Sequence, residues 1–337
     1  MQTTQAVDGV RMVIRVLTQN CWMMPLRMAS PPRKSGCLSG RVDAFSHWIE
    51  QQSNDHGLDI VLLQELWDSG SERLSCLECL FCVQSSRKAS ILSTLSGLFA
   101  YTTAVDPEAS CFSRNDYLDS GLCILSNHPI LSQTFFPFPM KSDGDSIAKK
   151  GILIAGICLP NGKMAIIANI HLDAGLDDVI RFDQLDMCMT LIHDFSRQMT
   201  ASKSMDVAFT IIGGDFNLDG NCEPVYDLLS FRLRRFAFFD MWETFKGEGY
   251  GDTYDYTDSS PQRLDYLWIH PKPRHATVTV SEARLWRADK QLLMEIEDAR
   301  DRGDVGRAEA IEKMLDSKDR FQRVTHHGAV LAEFDVD

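Results

Sequence analysis

The chain has 337 residues, 44% hydrophobic and 24% charged, a balance that supports a soluble globular fold and excludes a largely disordered one. Its formal net charge of −13 excludes the broad basic surface with which proteins displace counterions from nucleic acid, so a nucleic-acid partner is not expected. No apolar run reaches the roughly 18–20 residues that cross a bilayer. The opening "MQTTQAVDGVRMVIRV" lacks the basic, apolar, small-residue order of a signal peptide, so a cytoplasmic protein is expected, soluble or peripheral to a membrane.

Taken in chain order, short β-branched runs bounded by Gly, Pro, Asn or Asp predict strands. They are "RMVIRVLTQNC", "DIVLLQELW", "GLCILSN", "GILIAGICL", "MAIIANIHL", "VAFTIIGGDFN", "RLDYLWIH", "ATVTVSEARLW" and "GAVLAEFDV". Helical periodicity appears between them, at 40–52 and at 181–199, where Phe182, Leu185, Met189 and Ile192 share a face. Several strands are apolar on both faces, which implies sheets packed against each other and covered by helices. The stretch 288–320 reads as a charged helical hairpin broken at Arg302-Gly303-Asp304, part of a helical insert at 271–323 before the last strand. With no repeat and no low-complexity linker, residues 1–337 are expected to form one domain.

The ten cysteines are expected to be reduced, with Cys21, Cys123, Cys158 and Cys188 in the core. Cys76, Cys79 and Cys82 lie three apart, but no fourth ligand follows at zinc-like spacing. "TFFPFPM" offers Phe135, Phe136, Phe138 and Met140 either as lipid contacts or as edge-strand packing.

The pattern that points to chemistry is the polar residue at strand after strand end: Asn20, Glu65, His171, Asp215 with Asn217, and His327 just before the last strand. Each alone has an ordinary structural reading as a turn residue, a cap or a buried partner. Together they read as the floor of one site. In "GGDFN" the two glycines allow close backbone approach to a ligand, and Asp215 and Asn217, two apart, are expected on one side of an extended chain. A carboxylate beside an amide can hold a water and a phosphoryl oxygen together, as phosphodiester hydrolysis requires.

"TQNCW", "LLQELWD", "SGLCILSNHPI", "NIHLDA", "GGDFNLD", "RLDYLW" and "THHGAV" occur in the order and rough spacing of the endonuclease/exonuclease/phosphatase superfamily. Within it the chain most resembles the neutral sphingomyelinases, over roughly residues 12–270 and 324–335. The resemblance implies an α/β fold, a four-layer αββα sandwich with two mostly antiparallel sheets between helices. It implies Mg²⁺-dependent cleavage of sphingomyelin, or a related phosphodiester lipid at a membrane surface, to ceramide and phosphocholine by in-line attack of water. Endonucleases, phosphoinositide phosphatases and a non-catalytic lipid- or protein-binding scaffold are the alternatives.

By the same resemblance Glu65 is the main Mg²⁺ ligand, with Asn20 at the metal or phosphate. Asp215 orients or deprotonates water, Asn217 and His171 stabilise phosphoryl oxygens, and His327 is the general acid–base, oriented by Asp265. Where the family has an acidic metal-site residue before that histidine, this chain has His326, which brings Mn²⁺ into consideration beside Mg²⁺. Asp145 and Lys150 match a switch loop in which aspartate and lysine exchange places relative to substrate.

Overall fold

The computed structural model describes residues 12–23, 36–67, 87–103, 119–142, 145, 148–245, 251–254, 260–271, 275–280, 299, 302–307, 309 and 327–336. His326 and the Cys76, Cys79 and Cys82 group lie outside the described residues. The strands are β1 (Met12–Asn20), β2 (Ile60–Gln64), β3 (Tyr101–Thr102), β4 (Cys123–Ser126), β5 (Ile130–Pro137) and β6 (Gly151–Cys158). They continue with β7 (Met164–His171), β8 (Val207–Asp215), β9 (Phe239–Asp240), β10 (Asp265–His270), β11 (Ala276–Val280) and β12 (Val330–Val336). The helices are α1 (Gly36–His56), α2 (Arg87–Leu95), α3 (Asp178–Lys203), α4 (Glu223–Arg234) and α5 (Met241–Phe245).

Two six-stranded sheets form, ordered β11-β12-β1-β2-β4-β3 and β5-β6-β7-β8-β10-β9. Each contains one parallel pair, β1 with β2 and β7 with β8, and its other neighbours are antiparallel. Ile14, Val16, Ile60, Leu62 and Ile124 from the first sheet meet Ala155, Ala165, Ile167, Phe209, Ile211, Leu267 and Ile269 from the second, forming the inter-sheet core. On the outer face of the first sheet Leu17, Val61, Leu63 and Leu125 pack against Phe45 and Ile49 of α1 and Ile91 and Leu95 of α2. On that of the second, Ile166, Ala168, Ile170 and Ile212 pack against Phe182, Leu185, Met189 and Ile192 of α3 and Leu229 and Leu233 of α4. The architecture is the four-layer αββα sandwich.

Both long helical patterns form, each longer than the sequence indicated. The α3 helix begins where Asp177 accepts the Val179 N–H and ends at Ser204, left-handed with φ 51°. Cys21, Cys123 and Cys188 are buried as expected, while Cys158 keeps partial exposure. The aromatic stretch after β4 is an edge strand. Phe138 is buried, Phe135 and Phe136 pack against the two cores, and Met140 alone of the four stands exposed. The stretch 271–323 contains β11, an edge strand of the first sheet paired with β12, so the part around 276–280 is sheet and not helical insert. Farther on, Arg302 and Gly303 form a turn with Gly303 at φ +75°, where the hairpin break was expected.

Alternation along the strands explains what lies at one end of the inter-sheet face. With period 2, the residues following Val16, Leu62, Ile167 and Ile211 on that face include Asn20, Gln64, Asn169, His171 and Asp215, and Asp265 precedes Leu267 on the antiparallel β10. One layer below the end, Gln64 Nε2 donates to Thr18 Oγ1 (3.0 Å) and across the sheets to Asn169 Oδ1 (2.8 Å). Asn169 Nδ2 returns bonds to the Leu63 and Cys123 carbonyls at 2.8 and 2.9 Å. This polar clamp fixes the sheets' spacing directly beneath the strand ends. Asn169→Leu keeps the volume but strands buried partners, and should lower unfolding free energy by about 2–3 kcal/mol in urea titration with an unchanged m value.

Candidate active site at the joined strand ends

Register brings the polar ends together. His171, Asp215 and Asp265 are directly paired across β7, β8 and β10, and Asn20 is paired with Gln64, after which Glu65 turns into the site with φ +54°. The two parallel pairs contribute their C-terminal ends, and the antiparallel neighbours β10 and β12 contribute residues at their starts. Asn20, His171, Asp215, Asp265 and His327 are buried, and only Glu65 of the charged set keeps partial exposure.

Asn20 Nδ2 donates to Glu65 Oε1 (3.0 Å) and to Asp215 Oδ2 (2.9 Å), while its oxygen accepts the Trp22 N–H at 2.9 Å. That backbone donor fixes the amide orientation, so the amino group and not the oxygen faces the carboxylates. His327 Nδ1 lies 2.8 Å from Asp265 Oδ2, which leaves Nε2 directed at Asp215 Oδ2, 3.8 Å away. His171 Nε2 lies 3.7 Å from the same oxygen. Asp215 Oδ2 is therefore the shared focus of Asn20 and two imidazoles.

Asn217 is not on an extended chain with Asp215. It is left-handed, φ 49°, its N–H bonds Asp215 Oδ1 at 2.9 Å, and its Nδ2 donates to the Leu172 carbonyl at 3.1 Å. The glycines before it serve packing rather than ligand approach. A Cβ on Gly214, at φ +133°, would sit 2.0 Å from the Ile170 carbonyl oxygen, and one on Gly213 would press on Leu267 and Leu62.

Lys150 is buried, with Nζ on the Leu172 carbonyl (2.9 Å) and on Asp145 Oδ2 (2.7 Å). Asp145 also accepts the Ala174 N–H at 2.5 Å. The two predicted loop residues are thus paired with each other and tied to the segment after His171. Arg263, an alternative partner for Asp265, pairs instead with buried Asp240 at 2.5 Å.

The charges respond to this enclosure. Burial raises Glu65 above the ordinary carboxylate range against the opposing Asn20 bond and the His327 and Lys150 charges. Burial, then repulsion by Asp265, pushes Asp215 up to about 6. Burial opposes a charged His327, but Asp265 and Asp215 outweigh it and raise the imidazole to about 9. His171 is driven well below its usual value by burial and by the Lys150 and His327 charges, so it is neutral.

Several supporting residues had no assigned part in the sequence reading. Trp67 Nε1 reaches Glu65 Oε2 at 3.4 Å and its ring lies 6.2 Å from that of His171. Its position is fixed by Gly121, where any Cβ would fall 2.7 Å from the indole. Thr253 Oγ1 accepts the Leu264 and Asp265 N–H groups, its carbonyl accepts Gly328 N–H at 2.6 Å, and the Tyr254 ring lies 4.9 Å from His327. One short segment so aligns the Asp265 and His327 loops. The only sequence signal for these was Trp67 standing two residues after Glu65; nothing around Thr253 marked it.

The arrangement fits a divalent cation. Oxygens of Glu65 and Asp215 and a nitrogen of His171 lie within 4.8 Å of one another, as do atoms of Asp215, Asp265 and His327. His171 Nδ1 and Asp265 Oδ1 are buried without hydrogen-bond partners among the described residues. Two converging carboxylates, destabilised as anions by burial, suit a hard cation that keeps other positions for water and phosphate oxygens.

Residues 17–287 match the model of the Endonuclease/Exonuclease/phosphatase family. The chain belongs to this family. Over 177 residues it is 29% identical to sphingomyelin phosphodiesterase 5 of Danio rerio, a match covering 50% of this chain and 29% of that protein. Over 115 residues it is 34% identical to sphingomyelin phosphodiesterase 3 of Homo sapiens, covering 31% of this chain and 17% of that one. The aligned parts thus span less than a third of these relatives' length. Among solved structures, sphingomyelinase C from Streptomyces griseocarneus superposes with TM-score 0.59 at 15% identity, over 96% of this chain and 99% of that one. A beta toxin from Staphylococcus aureus with bound magnesium ions gives 0.57 at 21% identity, over 80% and 89%. These structural likenesses establish the family fold.

If Asp265 sustains the His327 charge, Asp265→Asn removes an anion and a charge-assisted hydrogen bond, so the imidazole should titrate at lower pH. NMR of the His327 ring protons should show its pKa falling from about 9 towards the unperturbed value. An unchanged titration would contradict the pairing.

Proposed function

We propose that this chain is a divalent-metal-dependent phosphodiesterase that hydrolyses sphingomyelin, releasing phosphocholine and leaving ceramide. The observation that carries the reading is Asp215 Oδ2 standing between two imidazoles, one of them held by Asp265. The partial sequence likeness to sphingomyelin phosphodiesterases supports the choice of substrate, and the formal charge of −13 speaks against a nucleic acid.

Glu65 and Asp215 would hold the cation, Mg²⁺ in the first instance and Mn²⁺ as a substitute. Such an ion supplies Lewis-acid stabilisation of charge on the phosphoryl oxygens. Asn20 positions both carboxylates by donating to each. Asp215 orients the attacking water and accepts its proton. The water oxygen bonds to phosphorus as the bond to the primary oxygen of ceramide breaks. His327, with Nδ1 committed to Asp265, presents Nε2–H and supplies a proton to the oxygen that leaves. Neutral His171 and the Asn217 amide offer donors to phosphoryl oxygens without adding charge. In the switch-loop part of this reading, Lys150 exchanges its Asp145 partner for substrate phosphate.

Two groups with pKa values pushed apart divide the acid and base roles. Asp215 must be ionised, which fails as pH falls through about 6, and His327 must be protonated, which fails as pH rises through about 9. Turnover should therefore follow a bell between these limits, with the acid limb moving lower at saturating metal because a cation favours the carboxylate. A flat profile between pH 5 and 10 would remove Asp215 and His327 from these roles.

The substrate assignment is tested by offering the purified protein sphingomyelin micelles, plasmid DNA and inositol phosphates with Mg²⁺, with Mn²⁺ and with chelator. Phosphocholine release, abolished by chelator, is expected, and turnover of DNA or inositol phosphate alone would overturn the assignment. His327→Ala should lower kcat by roughly 10²- to 10⁴-fold with an unchanged thermal midpoint.

A further inference from the structure

Large apolar side chains are exposed at the rim of the site without need of the fold. Leu176 is 103% exposed, Val179 65% and Met140 47%. Leu176 and Val179 follow His171 through the loop into α3, and Met140 follows β5, whose end pairs with the start of β6, so all three lie at the end of the sheets that carries the site.

Their exposure is not looseness of the loops. Ser142 donates to Asp173 through N–H (2.8 Å) and Oγ (3.0 Å), and Gly175 N–H bonds the other Asp173 oxygen at 2.8 Å. Gln184 accepts the Asp173 N–H and donates to the Met140 carbonyl, at 2.9 and 2.8 Å, and Arg181 closes onto the Asp173 and Gly175 carbonyls. The polar groups of the two segments are thus satisfied among themselves, and the apolar side chains remain facing water.

Resting on the reading of a lipid phosphodiesterase, we propose that this rim docks on a zwitterionic bilayer surface, with Leu176, Val179 and Met140 entering the headgroup region. Charge selects the kind of surface. Among the described residues, the exposed charges flanking the apolar side chains are the carboxylates of Asp177 and Asp183, whereas Lys141 and Lys149 are partly buried, Lys141 on the Ala148 carbonyl and Lys149 over the Phe135 ring. A bilayer whose outermost groups are quaternary ammonium ions complements these carboxylates, and an anionic one repels them. A surface bound here would meet the site along the path from Leu176 to His171, a short stretch of chain held rigid by Asp173.

The test measures co-sedimentation with sucrose-loaded vesicles of phosphatidylcholine, and of phosphatidylcholine mixed with phosphatidylserine, beside turnover of water-soluble p-nitrophenyl phosphocholine. Wild type should bind the zwitterionic vesicles more tightly than the mixed ones. Leu176→Asp with Val179→Asp should weaken vesicle binding roughly tenfold or more, leaving turnover of the soluble ester and the thermal midpoint unchanged. Phe231→Ser with Phe236→Ser removes exposed aromatics beside β9, towards the end where β10 finishes and away from the site, and should bind like wild type. Unaltered binding by the Asp variant, equal loss in the Phe variant, or wild type preferring anionic vesicles or binding neither would overturn the proposal. Selective loss of binding without turnover of any ester would uphold the docking surface and refute the enzymatic reading instead.

Discussion

Two carboxylates, Glu65 and Asp215, are held together at the edge of the inter-sheet core, and much of the site follows from the cost of doing so. Anions removed from water are destabilised unless something nearby carries positive charge or donates hydrogen bonds. Each neighbour answers that requirement. The Asn20 amino group bonds both carboxylates, the His327 imidazole is held charged close to one of them, and buried Lys150 lies near enough to favour the ionised form of Glu65. The compensation is incomplete, since burial still pushes Asp215 up to about 6. Burial, reinforced by the same positive charges that favour the carboxylates, holds His171 neutral. One electrostatic constraint thereby assigns an anion, a cation and a neutral donor to three side chains around one oxygen.

The fold can meet this constraint only at one end. Each sheet has a single parallel pair, and the β7–β8 pair is brought to a common end by exact backbone approach, with Gly214 against the Ile170 carbonyl. The antiparallel strands beside those pairs run the other way, so they deliver Asp265 and His327 from their beginnings to the place where the others finish. The Gln64–Asn169 bond beneath holds the two sheets at a spacing that lets residues of both sheets surround Asp215. A small change in sheet separation would open the 3.8 Å gap from His327 to Asp215 Oδ2 and stretch the Asn20 bond to the same oxygen.

What the sequence made legible was the part governed by short periods. Short β-branched runs marked the principal strands, and the polar residue closing each run marked Asn20, Glu65, His171 and Asp215; alternation carries the inter-sheet face to Asn20, His171 and Asp215, whereas Glu65 reaches the site through its left-handed turn. Short elements such as β3, β9 and α5 have too few residues to show a period. Asn217 was misplaced in conformation because its left-handed turn depends on the Asp215 bond, a local contact that the spacing of two residues does not reveal. The pairing of Arg263 with Asp240 and Glu243, the Trp67–Gly121 contact and the Thr253 clamp join residues distant in sequence or separated by a turn. Nothing in either partner alone specifies the other. The β11 strand was legible from its composition, but the helical insert was drawn to include it, because only its pairing with β12 shows that the sheet extends past residue 271.

The segment from His171 to Asp178 connects the chemistry to the outer surface, and Asp173 is its joint. Burial alone would raise this carboxyl, but hydrogen bonds from Ser142 and Gly175 outweigh burial and hold it below the ordinary range, so it remains an acceptor over the whole neutral region. The joint is tied on one side to the Met140 segment and on the other to α3, while Lys150 and Asn217 both donate to the neighbouring Leu172 carbonyl. Movement of Leu176 towards or away from a surface would therefore pull on the Lys150 and Asn217 side chains through the Leu172 carbonyl. Holding this loop rigid fixes the height of the site above any surface that the rim touches, and for a substrate whose scissile bond sits at a set depth in a bilayer, that height decides which phosphodiesters can be reached.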